Sequence, residues 1–257
     1  MRAAAKAEKA GSGAKPESVG KKPAVAARAH SKGGKSAVLQ KDEAYERVYQ
    51  DIITFRLKPG ERISEAALEQ LYGIGKASVR TVLLRLVQEG LVENNGRYGH
   101  QVIPLTLESI RNVLELRLIL EPAAAEMAAG RVDAERLRKF NKHTGIDLSK
   151  SNWKVNAKYL ESNRDFHVAI AEHSGNPQLA TWLKHLHNLS FRTFYLLERA
   201  GTLIAGGQED HEQIIRALEK GDGPEAARLA REHMQAALDI TLAAVIKLPE
   251  LQQVNLR

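Results

Sequence analysis

From about residue 41 onward the apolar residues recur at helical spacing, and strand-like alternation is confined to one short stretch near residues 91–103. A chain patterned this way builds its cores by packing helix on helix, with at most a small sheet beside them. Turn residues cut the run into segments. The first spans roughly 41–56, with Tyr45, Val48, Tyr49 and Ile52 on one face, and ends at Pro59-Gly60. Ser64 can cap a short second helix bearing Leu68 and Leu71, which stops at Gly73. A third helix carries Val79, Val82, Leu83, Leu86 and Val87 and is closed by Gly90. Leu91-Val92 and Gln101-Val102-Ile103 then flank the turn-rich stretch from Asn94 to Gly99 and predict a small β-hairpin.

Beyond Pro104 the pattern predicts six helices, at roughly 106–129, 133–148, 153–174, 177–199, 207–220 and 224–246. Asp133 is a plausible cap, Asn176-Pro177 sets proline at a helix start, and Gly221-Asp222 separates the last two. An antiparallel bundle is the simplest way to bury six amphipathic faces joined by short loops.

Composition sets further bounds. With 43% hydrophobic residues over 257 positions, the chain can fill two ordinary cores. It has no cysteine, which excludes disulfide frameworks, thiolate metal sites and cysteine nucleophiles and fits a reducing cytoplasm. No apolar run approaches the roughly 20 residues that span a bilayer, and the N-terminus lacks the apolar core of a secretory signal, so a soluble protein with no membrane role is expected. The net charge of +7 is concentrated in residues 1–40, where nine Lys/Arg face only Glu8 and Glu17 and account for all of it. Any nucleic-acid role of the remainder must therefore rest on pattern. That segment of Ala, Lys, Gly, Ser and Pro buries too little surface to offset ordering, and is expected to be a disordered basic tail. It reads either as an arm adding non-specific phosphate contacts or as a solubilising extension. The expected organisation is this tail, a domain over 41–104, a helical domain over 105–248, and a C-terminal tail over 249–257.

Three short helices followed by a hairpin is the layout of a winged helix-turn-helix, whose third helix enters the major groove while the hairpin touches backbone or minor groove. With Val79, Val82, Leu83 and Leu86 turned inward, Lys76, Ala77, Arg80, Thr81 and Leu84 face out. Lys76 and Arg80 stand one turn apart, able to reach guanine edges or phosphates, and Ser78 and Thr81 can make shorter contacts. Arg97 and His100 are the candidate contacts on the hairpin. The competing reading is that these are ordinary solvated charges.

Among the nine histidines, three fall on inward faces of separate predicted helices. His167 shares a stripe with Asn163, Phe166 and Ile170; His211 lies with Ile214, Ile215 and Leu218; His233 lies with Ala226, Ala230 and Ala237. Unpaired polar groups there are costly, so something should satisfy them. A divalent metal would, with Asn163 and His167 spaced i,i+4 and two further imidazoles completing a partial shell. Hydrogen-bonded core histidines with water are the alternative. His185 and His187, two residues apart, point in different directions on a helix and suggest no site.

The stretch from Leu57 to Val92 resembles the DNA-binding domain of the GntR family of bacterial transcription regulators, in Pro59-Gly60, Ser64-Glu65, Leu68, Val79-Arg80, Leu83, Leu86 and Glu89-Gly90-Leu91-Val92. It departs where the family usually has Ser-Arg and then Pro before the Val-Arg; here stand Gly75-Lys76 and Ser78, and lysine keeps the charge without the bidentate fork. The second half is similar to the C-terminal FCD domain of the subgroup typified by the fatty-acid-responsive repressor, a six- or seven-helix ligand-binding bundle often carrying a metal. Phe166-His167, Asp210-His211 and Glu232-His233 match its ligand positions, while Asn163 stands where the family has Asp. A neutral amide there lowers the expected affinity. The resemblance further implies that Arg117, in Glu115-Leu116-Arg117, faces the cavity and pairs with a carboxylate effector, with Arg192 a second candidate. For both the competing reading is a surface or interhelical salt bridge.

The expectation is a mainly α protein: an N-terminal winged helix-turn-helix and a C-terminal all-α bundle of six or seven helices. Functionally it is a homodimeric regulator of the bacterial cytoplasm and nucleoid rather than an enzyme. It binds double-stranded operator DNA and answers to a small effector held with Zn, Ni, Mn or Fe. A metal-dependent enzyme on a helical bundle and a non-specific nucleoid-type DNA binder driven by the tail are the rival readings.

Overall fold

In the computed structural model of the protein, residues 41–145, 153–202 and 207–248 are described. The expected tails, 1–40 and 249–257, lie outside them. The chain begins with α1 (Lys41–Ile53), β1 (Arg62–Ile63), α2 (Glu65–Tyr72) and α3 (Lys76–Gln88), followed by β2 (Val92–Asn94), a 3-10 turn at Gly96–Tyr98, and β3 (His100–Val102). Ser64 caps α2 by accepting the Ala67 N–H at 3.1 Å. Gly73, at φ 67°, ends α2 in the left-handed conformation that a side chain disfavours, and its N–H bonds the Glu69 carbonyl. That sharp stop lets α3 start three residues later as a separate helix.

The expected hairpin is one part of a three-stranded antiparallel sheet ordered β1-β3-β2. Arg62 and Ile63 pair with Gln101 and His100, while Val92 and Asn94 pair with Val102 and His100. A two-residue strand beside Pro59-Gly60 is too short to give an alternation signal, which is why the sequence shows two strands and the fold has three. Ala44, Val48 and Ile52 of α1, Leu68 and Tyr72 of α2, and Val79, Val82, Leu83 and Leu86 of α3 close one core with Leu91, Val92 and Val102. Fully burying each large apolar side chain contributes about 1.5–3 kcal/mol.

Six further helices follow among the described residues: α4 (Leu107–Ala128), α5 (Ala134–Asn141), α6 (Trp153–Glu172), α7 (Pro177–Arg199), α8 (Gln208–Lys220) and α9 (Gly223–Val245). Their starts are set by side chains. Thr106 and Ser109 form a reciprocal capping box, Asp133 accepts from Arg136 N, Asn176 precedes Pro177, and Asp222 accepts from Glu225 N. The helix expected over 133–148 ends early. His143 and Thr144 N–H groups bond carbonyls only three residues back, tightening the last turn, and residues 146–148 lie outside the described residues. Helix α4 runs centrally, packed chiefly on α9 and also on α6 and α7. It contributes Ala124, Ala125 and Ala128 to cores completed by Phe166 and Ala169–Ala171 of α6, Leu183 and Leu186 of α7, and Ile214, Ile215 and Leu218 of α8. Small residues on α4 and α9, such as Ala125 and Ala230, pack together where polar groups on five of the helices meet.

Candidate functional site

Packing on the inner face of α3 leaves its outer face free. Lys76, Ala77, Arg80, Thr81 and Leu84 are exposed and Ser78 is half-buried. Gly75 gives α3 no side-chain cap; the Ser78 N–H bonds the Gly75 carbonyl, and those of Lys76 and Ala77 are left for an acceptor such as a phosphate. Arg80 Nε donates to both Glu65 carboxylate oxygens at 3.1 Å, which steadies the guanidinium across the α2–α3 turn. Thr81 Oγ1 donates to the Ala77 carbonyl at 3.0 Å and keeps its acceptor capacity. At the wing, exposed Arg97 donates from Nη2 to Tyr98 Oη at 2.8 Å and lies over that ring. His100, on β3, is half-buried.

The bundle interior holds a second constellation. His167 of α6, His211 of α8 and His233 of α9 each offer one ring nitrogen within 4.8 Å of the others. The partners of the opposite nitrogens decide which tautomer each ring adopts. His167 Nδ1 lies 2.7 Å from Glu121 Oε2, an acceptor, so it carries the proton. Asn141 donates from Nδ2 to the Gln208 carbonyl at 2.9 Å, which fixes its Oδ1 as acceptor and therefore His211 Nδ1, 3.1 Å away, as donor. His233 Nδ1 faces Asp210 Oδ2 at 3.5 Å. All three rings thus back onto acceptors through Nδ1, the arrangement that orients metal-binding imidazoles. Their Nε2 atoms converge: His211 Nε2 and His233 Nε2 are 3.2 Å apart, and His167 Nε2 is buried without a hydrogen-bond partner.

Electrostatics agree with this assignment. Burial lowers the pKa of His167 and His211 below the ordinary range and carries His187 down to about 3, with the Arg117 guanidinium adding to the last effect. His167, His187 and His211 are therefore neutral at neutral pH, the ligand-competent form. Burial pushes the Glu121 carboxyl up, yet His167, Arg117 and His187 facing it hold it well below the usual carboxylate range. With both imidazoles neutral, the Arg117 charge and N–H donation from His167 carry that effect.

A cavity of about 10 Å³ opens beside His167 and His233, walled by Glu121, Ala124, Ala125, Ile170, Leu183, Ile214 and Ala230. That is room for roughly one ion or water. Gly207, at φ 100°, closes on the rings; a Cβ there would stand 2.9 Å from His233 Cε1 and 3.5 Å from His211 Nε2. The buried unpartnered nitrogen, the converging lone pairs and the neutral donors fit a divalent metal of the nitrogen-binding class.

The other expected residues fall differently. Asn163 sits one turn before His167, half-buried, and no hydrogen bond holds its amide among the described residues. Arg117 does not stand open to an incoming anion. It is sealed in the core, with Nε donating to Glu121 Oε1 at 2.7 Å and Nη1 to Ser190 Oγ at 3.3 Å, and it does not line the cavity. A buried salt bridge holds it, as the competing reading had it, but within α4 rather than between helices, with only the Ser190 hydrogen bond crossing to α7. Arg192 is equally buried, but its Nη2 donates at 2.8 Å to the Ile103 carbonyl, immediately after β3, and its Nε has no partner among the described residues.

Two members of the site were missed. Glu121 shares the buried stripe Leu114, Arg117, Ala124, Ala125 and Ala128 of α4, and a paired Arg/Glu on an apolar face was its signal. His187 lies on the stripe with Leu183, Ser190 and Phe191, which a test of spacing against apolar neighbours would have separated from half-buried His185. Glu121, His167 and His187 also cluster, with His187 Nε2 3.1 Å from Glu121 Oε1 but off the hydrogen-bonding line. A cation inserted there would meet the Arg117 guanidinium bound to the same carboxylate, so the Nε2 side of His167 is the better metal position.

An exposed α3 face beside a small winged sheet, joined to a bundle with a buried ligand cluster, defines a DNA-binding transcriptional regulator with an effector-binding domain. Residues 40–102 match the bacterial regulatory proteins of the gntR family and residues 112–236 match the FCD domain, and the chain belongs to the GntR family. FCD domains often bind a metal. Among similar proteins, the uncharacterized HTH-type transcriptional regulator YdhC of Bacillus subtilis is 26% identical over 197 residues, spanning 75% of this chain and 84% of that one. The HTH-type transcriptional repressor GlaR of Escherichia coli is 23% identical over 79% of this chain and 96% of its own. In fold, the chain is similar to Escherichia coli McbR/YncC (TM-score 0.63, 20% identity, covering 81% of this chain and all of that one). It is also similar to a putative transcriptional regulator from Rhodococcus sp. RHA1 (TM-score 0.61, 20% identity, covering 79% and 98%). No helix among the described residues is long and apolar enough to cross a membrane.

Proposed function

We propose that this regulator is a cytoplasmic, nucleoid-associated homodimer that represses or activates from a two-fold-related operator. Lys76, Ala77, Ser78, Arg80 and Thr81 read the major groove, and Arg97 and His100 contact the flanking backbone or minor groove. Residues 41–104 form the DNA-binding head, 105–248 the effector and dimerisation domain, and 1–40 a basic arm. Dimerisation is supported by Leu116, Ile119 and Met127 on the outer face of α4, which are 47%, 62% and 43% exposed and lie at helical spacing.

In the bundle, His167, His211 and His233 hold a divalent ion, with Asn163 as a further neutral donor. When bound, the ion supplies a positive charge that attracts a small carboxylate, the effector class this reading favours. Arg117 and Arg192 reach such an anion only if their present partners release them, so effector entry is coupled to rearrangement of α4 and α7. The observation that carries the reading is the convergence of three imidazoles, two buried and one half-buried, whose Nδ1 atoms all face acceptors.

Metal content by mass spectrometry tests it, comparing the purified wild type with a His167→Ala/His211→Ala double variant in chelator-free buffer. Near-stoichiometric metal lost in the variant is expected. No metal in either, even after loading, overturns the metal reading while leaving the DNA-binding reading intact.

A further inference from the structure

The candidate ligand set is three imidazoles with an amide at Asn163, where the resemblance implies an acid. Among the described residues, the buried carboxylate beside them is Glu121, which also walls the cavity and whose Oε2 lies 2.7 Å from His167 Nδ1, the ring nitrogen opposite the unpartnered Nε2. We infer that Glu121 is the positioning residue of this centre, which locks His167 as the Nδ1–H tautomer and aims its Nε2 lone pair at the ion. The inference rests on the metal reading above.

The three Nδ1 acceptors are not equivalent. Asp210 is 3.5 Å from His233 and mostly exposed, and Asn141 offers His211 a neutral oxygen. Glu121 is buried, and is itself held by Arg117 Nε at 2.7 Å, with His187 at 3.1 Å. A ring whose acceptor cannot rotate away cannot exchange its tautomer freely. Because Arg117 already balances its charge, the contribution of Glu121 is directional: it raises the basicity of His167 and removes the conformational freedom of one ligand. This recovers part of what Asn163, lacking charge, does not provide.

The obvious variant, Glu121→Gln alone, strands a buried guanidinium and endangers folding. The test therefore uses the full chain with Arg117→Met as common background, carrying either Glu121→Leu, with no acceptor at 121, or Glu121→Gln, which keeps a neutral one. Zinc affinity is read by competition against a chelator. The Leu form is expected to bind about 10- to 100-fold more weakly than wild type, with the Gln form between them. A Leu form within about 3-fold of wild type would overturn the inference on the scale of such outer-shell effects. A metal-free readout runs beside it: nitrogen NMR of labelled histidine should show His167 as Nδ1–H in the wild type and a mixture in the Leu form. An Nε2–H wild type, or no change on losing the carboxylate, also overturns it. If the wild type binds no zinc at all, the metal reading fails, and the tautomer result alone decides the role of Glu121.

Discussion

Replacing His187 with glutamine should flatten the acid side of the stability profile. His187 is completely buried against Glu121 and Arg117, and burial takes its pKa down to about 3. In the unfolded chain it returns to about 6.5. The unfolded state therefore takes up a proton first, so the stabilising effect is full above pH 6.5 and is lost as pH falls toward the folded value. By pH 5 the loss from this one ring is about 2 kcal/mol, close to 1.4 kcal/mol for each pH unit below 6.5. His167 and His211 are shifted in the same direction and steepen the wild-type profile. Glu121, held low, loses its contribution only below the ordinary carboxylate pKa of about 4.3 and so stays out of this window. Urea denaturation in chelator at pH 7.5, 6.5, 5.5 and 5 gives the comparison. The His187→Gln protein starts lower at neutral pH but should lose about 2 kcal/mol less than wild type between pH 7.5 and 5. Parallel profiles would falsify the view that His187 is buried as a neutral ring.

Other outcomes follow from the same geometry. Gly207→Ala combines a positive φ with a Cβ 2.9 Å from His233, and should lower metal affinity at least 10-fold by titration while leaving helical circular dichroism unchanged. Asn163→Asp supplies the charge that the donor set lacks, and should bind zinc more tightly, by roughly 10-fold or more, in the same competition assay. Lys76→Ala should weaken DNA binding and reduce the slope of log affinity against log salt by about one if the lysine contacts phosphate, measured by fluorescence anisotropy. Ile119→Glu places a charge in the exposed α4 stripe, and light scattering should find a monomer.

Much of this architecture is legible because it rests on local signals. Ser64, Gly73, Asp133 and Pro177 mark helix ends through their own side chains or backbone freedom, and each acts where it was read. The inward faces of α3, α6 and α8 follow from spacing alone, which is why His167 and His211 could be singled out. What could not be read depends on partners distant in the chain. Strand β1 exists because β3 pairs with it. Arg117 looks like a free cation in isolation, and only the fold shows that Glu121, one turn later on the same helix, takes its charge. His187 was set aside by its spacing from His185, although the relevant comparison was with Leu183 and Ser190.

Helix α7 has a consequence for how the molecule works as a machine. His187 looks toward Glu121, Leu189 packs against the core of the winged part, and Arg192 grips the carbonyl at the foot of the wing, all within two turns. A helix of 23 residues is a stiff rod some 34 Å long, and side chains so close along it cannot swing independently. Arg192 has no counter-charge among the described residues to make its grip self-sufficient, and burial depresses its pKa to about 10. Its position is set by the rod that carries it. A twist of α7 at the buried Glu121–His187 contact would thus move the side chain that holds the trailing edge of the wing: the two ends share one crankshaft.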